Sequence, residues 1–352
     1  MIGLIDPYFS CALADAVRAV RGAEYVAVAH LGVDDGYLRS IAGFTKTEYA
    51  ERYGVRLYAG PDEMIRAEAL DAVLIATEHR RSVEAVEAAA ARGLHAYVAK
   101  PMATDLAAAD RIVEAVRRSG VIATTGPTGR LNPLIRAAVG RVRSGQIGRV
   151  LSAHVMHQHG SISAFRPGHW YYDPANGGPE LSLGWYVVDL LRWIVGSNVA
   201  RVYAEFDNFN TQGSPFMDNG KLMLRFANGV MASADIYFSV RWPYPNWELE
   251  VMGTDGAVHV RPSLDEAMLF RAGEATSIYR QNHNPLFEEV ARWIEACEAC
   301  QKGTDPWVTV EDARETLRVC LAAITSARTH QPVWLDGSER SCETGVCLPR
   351  DR

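Results

Sequence analysis

The chain has 352 residues, 48% of them hydrophobic and 22% charged, with a formal net charge of −6. That length accommodates two cores, the composition is that of an ordinary globular protein, and the acidic balance excludes nucleic-acid recognition by charge. No apolar run approaches a membrane span, and the first residues enter a strand without the basic region of a signal peptide, so a cytoplasmic protein with no membrane and no nucleic-acid partner is expected.

In chain order, residues 2–5 read as a strand, followed by Asp6-Pro7-Tyr8-Phe9-Ser10 and a helix over 11–20. A dinucleotide-binding turn carries glycines here, so that the backbone can approach a pyrophosphate on the free N–H groups of the helix. Asp6-Pro7 is instead a helix start that caps itself: the carboxylate takes N–H bonds, and proline suits the first helical position. Residues 25–31, 72–77, 95–99 and 121–125 read as buried strands, with Ala-rich amphipathic helices over 82–92 and 105–118 between them. This alternation predicts a parallel sheet with helices on both faces. A helix over 131–144 ends at Gly145-Gln146-Ile147-Gly148.

From Val150 the pattern changes to alternating strands and hairpins. Residues 222–226 and 230–238 flank Asn228-Gly229, a strong turn signal, and 247–252 and 257–260 flank Gly253-Thr254-Asp255-Gly256. Helices over 180–195 and 285–301 are placed outside this sheet, and one over 310–330 closes it. The polar stretch 336–352 reads as a mobile tail. The fold class is α/β: an N-terminal Rossmann-type parallel sheet over 1–125 and a C-terminal α+β domain with an open, mostly antiparallel sheet over 126–335. Six cysteines, at 11, 297, 300, 320, 342 and 347, are too scattered for a disulfide scaffold and fit no zinc spacing.

Several motifs line up in order: Asp71-Ala72-Val73-Leu74-Ile75-Ala76-Thr77, Ala99-Lys100-Pro101, Arg130-Leu131-Asn132-Pro133, Ser144-Gly145-Gln146-Ile147-Gly148, Gly177-Gly178 and 184–193. In these the chain resembles the glucose–fructose oxidoreductase / inositol dehydrogenase (Gfo/Idh/MocA) family over about residues 1–335. The resemblance implies an NAD(P)-dependent oxidoreductase of sugars or cyclitols, with a C-terminal sheet used for oligomerisation. Lys100 matches the family's Glu-Lys-Pro lysine, which touches the substrate hydroxyl and the nicotinamide ribose, although the preceding residue is Ala99. The glycine turn is lost at Asp6 and Tyr8, next to Phe9, and His30 stands where an acidic ribose ligand is expected. Thr77 is present, followed by Glu78 in place of the usual proline. The family's aspartate and histidine after the double glycine are Ser182 and Tyr186 here, and Asp189 matches a further aspartate.

The chemistry these residues allow centres on Lys100, at the C-terminal end of a parallel strand, where α/β proteins place ligands. A lysine beside a positive nicotinamide ring acts as a base near neutral pH, with Tyr186 as its partner in moving the proton. Glu180 cannot replace the lost carboxylate at 182, because residues two apart do not share a helix face. His157 and His159 project from one face of a strand, and His169 follows in the connection with Trp170 and Tyr172. Such imidazoles can bind a divalent metal or line a sugar pocket beside aromatic faces. The pocket reading is adopted, with no metal, and Arg130 and Asp189 join the substrate side. The leading function is an NAD- or NADP-dependent oxidoreductase of a small carbohydrate. A keto-sugar lyase or isomerase, metal-assisted or not, and a non-catalytic sensor remain open. A homodimer or homotetramer is expected through the outer face of the C-terminal sheet, with Met223, Phe238, Trp242 and Trp247 as its apolar residues.

Overall fold

The computed structural model describes residues 1–4, 7–159, 168–211, 213–240, 246–271, 273–279, 284–301, 303 and 307–335. Asp6, Trp242 and the 336–352 tail lie outside the described residues, as does the side chain of Tyr8. In the N-terminal half the first strand is reduced to Ile2, which bridges in parallel to both Ala29 and Ile75. Through it β1 (Ala27–Ala29) and β2 (Arg56–Tyr58) join β3 (Ala72–Ile75), β4 (His95–Ala99) and β5 (Ala123–Gly126) in one parallel sheet. Counting Ile2 as the first strand, the order is 3-2-1-4-5-6, that of a doubly wound dinucleotide fold. Gly3 permits the close approach at the centre: a Cβ there would stand 2.1 Å from the carbonyl oxygen of Ala76.

Alternation along these strands feeds two cores. Ile75, Ala96 and Val98 pack against α5 (Ser82–Ala90) and α6 (Leu106–Ser119). Leu74 and Tyr97 face the other way, towards Leu13 and Val17 of α1 (Pro7–Ala19), Leu38 of α2 (Asp35–Ala42) and Tyr49 of α3 (Lys46–Tyr53). This second core is completed from far along the chain, by Leu286, Val290 and Trp293 of α9 (Pro285–Glu298), which follows α4 (Pro61–Ala67), α7 (Pro133–Arg143) and α8 (Gly178–Val195) in chain order. The helix expected to flank the C-terminal sheet therefore packs on α1 instead. Its apolar face at 286, 290 and 293 suits either neighbour, and periodicity does not name the partner.

The C-terminal half is a nine-stranded sheet in the order β13-β12-β11-β10-β6-β9-β8-β7-β14. Its strands are β6 (Val150–Gln158), β7 (Val199–Asp207), β8 (Asn219–Phe226), β9 (Met231–Tyr237), β10 (Trp247–Gly253), β11 (Gly256–Arg261), β12 (Glu266–Arg271), β13 (Glu274–Ser277) and β14 (Val333–Trp334). All pairings are antiparallel except β6 with β9. The inner face packs on α8, and α10 (Val310–Thr329) lies between α8, β7 and α6. On the outer face Met223, Met231 and Met252 are exposed, beside the ion pair Lys221–Asp235. Phe238 and Trp247 do not belong to that face. Phe238 is buried and stacks on Tyr171, and Trp247 stacks on His157. Phe238 shares the parity of the buried Ala234 and Ile236, and Trp247 that of the buried Leu249 and Val251, so strand alternation itself turns both inward.

Candidate active site

A cleft of about 530 Å³ opens where the C-terminal end of the parallel sheet meets the inner face of the large sheet. A larger cavity, about 670 Å³, lies beside Tyr25, Ala72 and His95, at the strands' amino ends. Open α/β sheets bind ligands at the carboxyl ends, so chemistry is sought in the first. Lys100 follows the last residue of β4 and is buried. Its Nζ donates to the carbonyl oxygen of Ser182 at 3.0 Å and to Ser182 Oγ at 2.9 Å, and lies 3.9 Å from the centre of the Tyr186 ring. Ser182 and Tyr186 are four apart on α8 and so share the face turned to the lysine. The tyrosine thus meets the ammonium with the face of its ring.

Across the cleft, His157 comes inward from β6. Its Nδ1 is 3.0 Å from the carbonyl oxygen of Asn246, its ring stacks on Trp247 at 4.0 Å, and Tyr186 meets it edge-on at 4.9 Å. Burial, helped by His159 and Lys100, holds His157 well below the usual imidazole range. His159 stands at the exposed rim, 6.1 Å from His157 between ring centres. His169 caps the short turn Trp170–Tyr172, and burial lowers it to about 4. Among the described residues no group of three or more His, Cys, Asp or Glu could hold a metal ion.

Sequence reasoning missed His79, Thr128 and Asn246, which also line the cleft. His79 was the most legible of them, two residues beyond Thr77. Its Nδ1 lies 2.8 Å from the carbonyl oxygen of Asn176, its ring meets Trp170 edge-on at 4.9 Å, and burial lowers it to about 3. Arg130 and Asp189 do not join the cleft lining. Arg130 donates through Nε to Asp189 at 2.9 Å and through Nη2 to Asp312 at 2.6 Å, and Asp312 also pairs with Arg192 at 2.9 Å. Both residues belong to a buried ion network between α8 and α10. Glu180 likewise turns away, its carboxyl buried beside Gly178 and Phe216 and raised to about 7 by burial.

A Rossmann-type sheet joined to a large open sheet, with a buried strand-end lysine between them, defines a Rossmann-type α/β architecture with an appended mixed sheet. The description "GFO/IDH/MocA C-terminal domain" matches residues 135–259, and "Oxidoreductase family, NAD-binding Rossmann fold" matches 37–126. The chain belongs to the Gfo/Idh/MocA family. It is 26% identical to inositol 2-dehydrogenase 2 of Saccharopolyspora erythraea, covering 90% of this chain and 91% of that one. It is 28% identical to D-apiose dehydrogenase of Paraburkholderia graminis, covering 94% and 88%. Among solved structures, aldose-aldose oxidoreductase of Caulobacter crescentus, complexed with glycerol, superposes with a TM-score of 0.80 at 21% identity, covering 95% and 98%. An Agrobacterium radiobacter oxidoreductase in complex with NAD+, L-tartaric acid and magnesium gives 0.79 at 19%, covering 95% and 97%.

The described residues suit the nicotinamide end of a dinucleotide better than its adenosine ribose. Lys100 and Phe9 line the cleft, but His30 and Thr77 are not among its lining residues. His30 Nδ1 accepts from the backbone N–H of Gly32 at 2.9 Å, and burial with Lys46 nearby lowers its pKa, so the ring is neutral. A neutral imidazole cannot accept from both ribose hydroxyls as a carboxylate does. Thr77 Oγ1 is engaged with Ser82 Oγ at 3.2 Å and with the Glu78 carbonyl. The NAD-binding match begins only at residue 37, beyond both the altered turn and His30. His30 therefore does not fit the adenosine ribose as a carboxylate would.

Proposed function

We propose that this chain is an oxidoreductase of a sugar, cyclitol or related polyol, acting in the Lys100 cleft with NAD or NADP as a loosely held partner. The observation that carries it is Lys100 itself, a buried ammonium aimed between Ser182 and Tyr186 at the carboxyl end of a parallel strand. There it holds the oxygen of the reacting hydroxyl and takes part in moving its proton. Tyr186 supports the ammonium through its ring face. His157, His159 and His169 supply polar contacts, and Trp170 and Trp247 supply flat apolar surface for a sugar ring. Relatives that carry inositol and apiose dehydrogenase names support the substrate class. A second reading, a keto-sugar lyase or isomerase in the same cleft, draws support from Asp6, Tyr8 and His30, which weaken the nucleotide site.

The test is turnover of myo-inositol and D-apiose with each nucleotide, beside calorimetric titration of NAD+ and NADP+. Nucleotide-dependent oxidation is expected, abolished in Lys100→Ala with little change in melting temperature. Conversion of a keto-sugar without any nucleotide would replace this reading by the second.

A further inference from the structure

Two residues that line the cleft each carry a buried polar side-chain atom that makes no hydrogen bond within the protein: His157 Nε2 and Trp170 Nε1. Such atoms are costly to leave unpaired, which makes each one in a native fold a pointer to a missing partner. They are of opposite sense. A backbone carbonyl only accepts, so His157 Nδ1, 3.0 Å from Asn246 O, carries the ring hydrogen and Nε2 bears the lone pair. Stacking on Trp247 fixes the plane of that ring. His79 is arranged the same way against Asn176 O, so its Nε2 is a second acceptor. His169 is reversed: its Nδ1 accepts from the backbone N–H of Tyr171 at 3.2 Å, so its Nε2 carries the hydrogen. The Trp170 indole only donates.

The backbone thus writes the tautomer of three histidines in one cleft. We propose that this set selects the ligand: His157 and His79 accept from hydroxyls, Trp170 donates to an oxygen, and the ligand is an unphosphorylated polyol. The inference rests on reading the cleft as a carbohydrate site. A hydroxyl both donates and accepts, so a polyol satisfies donors and acceptors together. A phosphate monoester is largely a dianion at neutral pH and would set bare oxygens against two imidazole lone pairs. Lys100 offers it limited compensation, because Ser182 already takes two of the ammonium's hydrogen bonds.

The experiment compares binding of neutral polyols (myo-inositol, D-apiose, D-glucose) and of their monophosphates to the full chain by calorimetry. The wild type is measured beside His157→Phe, His157→Gln and Trp170→Phe. The neutral ligand should bind the wild type about tenfold or more tightly than its phosphate. His157→Phe and Trp170→Phe should each lose roughly tenfold, the effect of one unpaired buried group, and His157→Gln, which keeps an acceptor, should recover most of the loss. Nitrogen NMR of the histidine-labelled wild type should show His157 neutral with its hydrogen on Nδ1 at neutral pH. A hydrogen on Nε2 overturns the inference whatever the variants do. Equal binding of polyol and phosphate, or full affinity in a folded His157→Phe, overturns it and leaves the carbohydrate reading standing. Failure of every polyol to bind the wild type overturns both.

Discussion

A guanidinium buried as fully as that of Arg130 is stable only when carboxylates meet it on more than one edge, and Asp189 and Asp312 do so. Arg130→Ala leaves Asp189 buried without its ion pair and should cost about 3–5 kcal/mol, while Asp189→Asn, which leaves Arg130 paired with Asp312, should cost less. Urea denaturation checks this. Unchanged stability with a raised KM would return the pair to the ligand. The sequence could not separate these roles, because Asp312 lies far downstream and nothing near Arg130 announces it. Lys100 was legible for the opposite reason. Its place follows from a strand end, the adjacent proline and the match of Ala99-Lys100-Pro101 to the family motif, all contiguous in sequence. The histidine tautomers were beyond reach, since Asn246 and Asn176 act through backbone carbonyls that no residue type advertises.

Elements with strong local chemistry are legible in the sequence. β4 was placed at 95–99, and the Asn228-Gly229 turn does join β8 to β9. The stretch 35–67, which holds α2, α3, α4 and β2, carries little signal in its sequence. These are short, and α3 is too polar for its periodicity to show. Its one clear signal is the capping box of Thr45 with Glu48. The large sheet raises a different question, because its outer face exposes Met223, Met231 and Met252. Those methionines are interleaved with charges such as Lys221 and Glu250, a mixture suited to pairing with a second copy of itself. Light scattering at micromolar concentration should give a dimer or tetramer, and Met223→Glu should shift it towards monomer. A monomeric wild type would refute the pairing.

For the molecule as a whole, the join between its halves is titratable. Glu289 of α9 is buried against Thr128 and Tyr97, accepting from Thr128 N–H at 3.0 Å and from the Tyr97 hydroxyl at 3.3 Å. Burial raises its pKa from 4.5 to about 8. A carboxyl raised in the folded state binds its proton more tightly there than in the unfolded chain. Its contribution is therefore full below pH 4.5 and is lost as the pH rises through about 8. Glu289→Gln keeps an acceptor without the charge, so its melting temperature should gain on the wild type across that window and run parallel above it. A constant difference between the two across the same window would refute the shift.

The same helix has a consequence for the order in which the protein is made. Leu286, Val290 and Trp293 close a core that Leu13, Val17 and Tyr49 begin. As the chain leaves the ribosome, its first helices present an apolar groove that nothing nearby in sequence can fill. Contacts so distant form late, since the long loop between them must be closed first. The nascent first half must therefore wait, open and adhesive, until α9 has been synthesised. Newly made chains should be most dependent on chaperones during that interval.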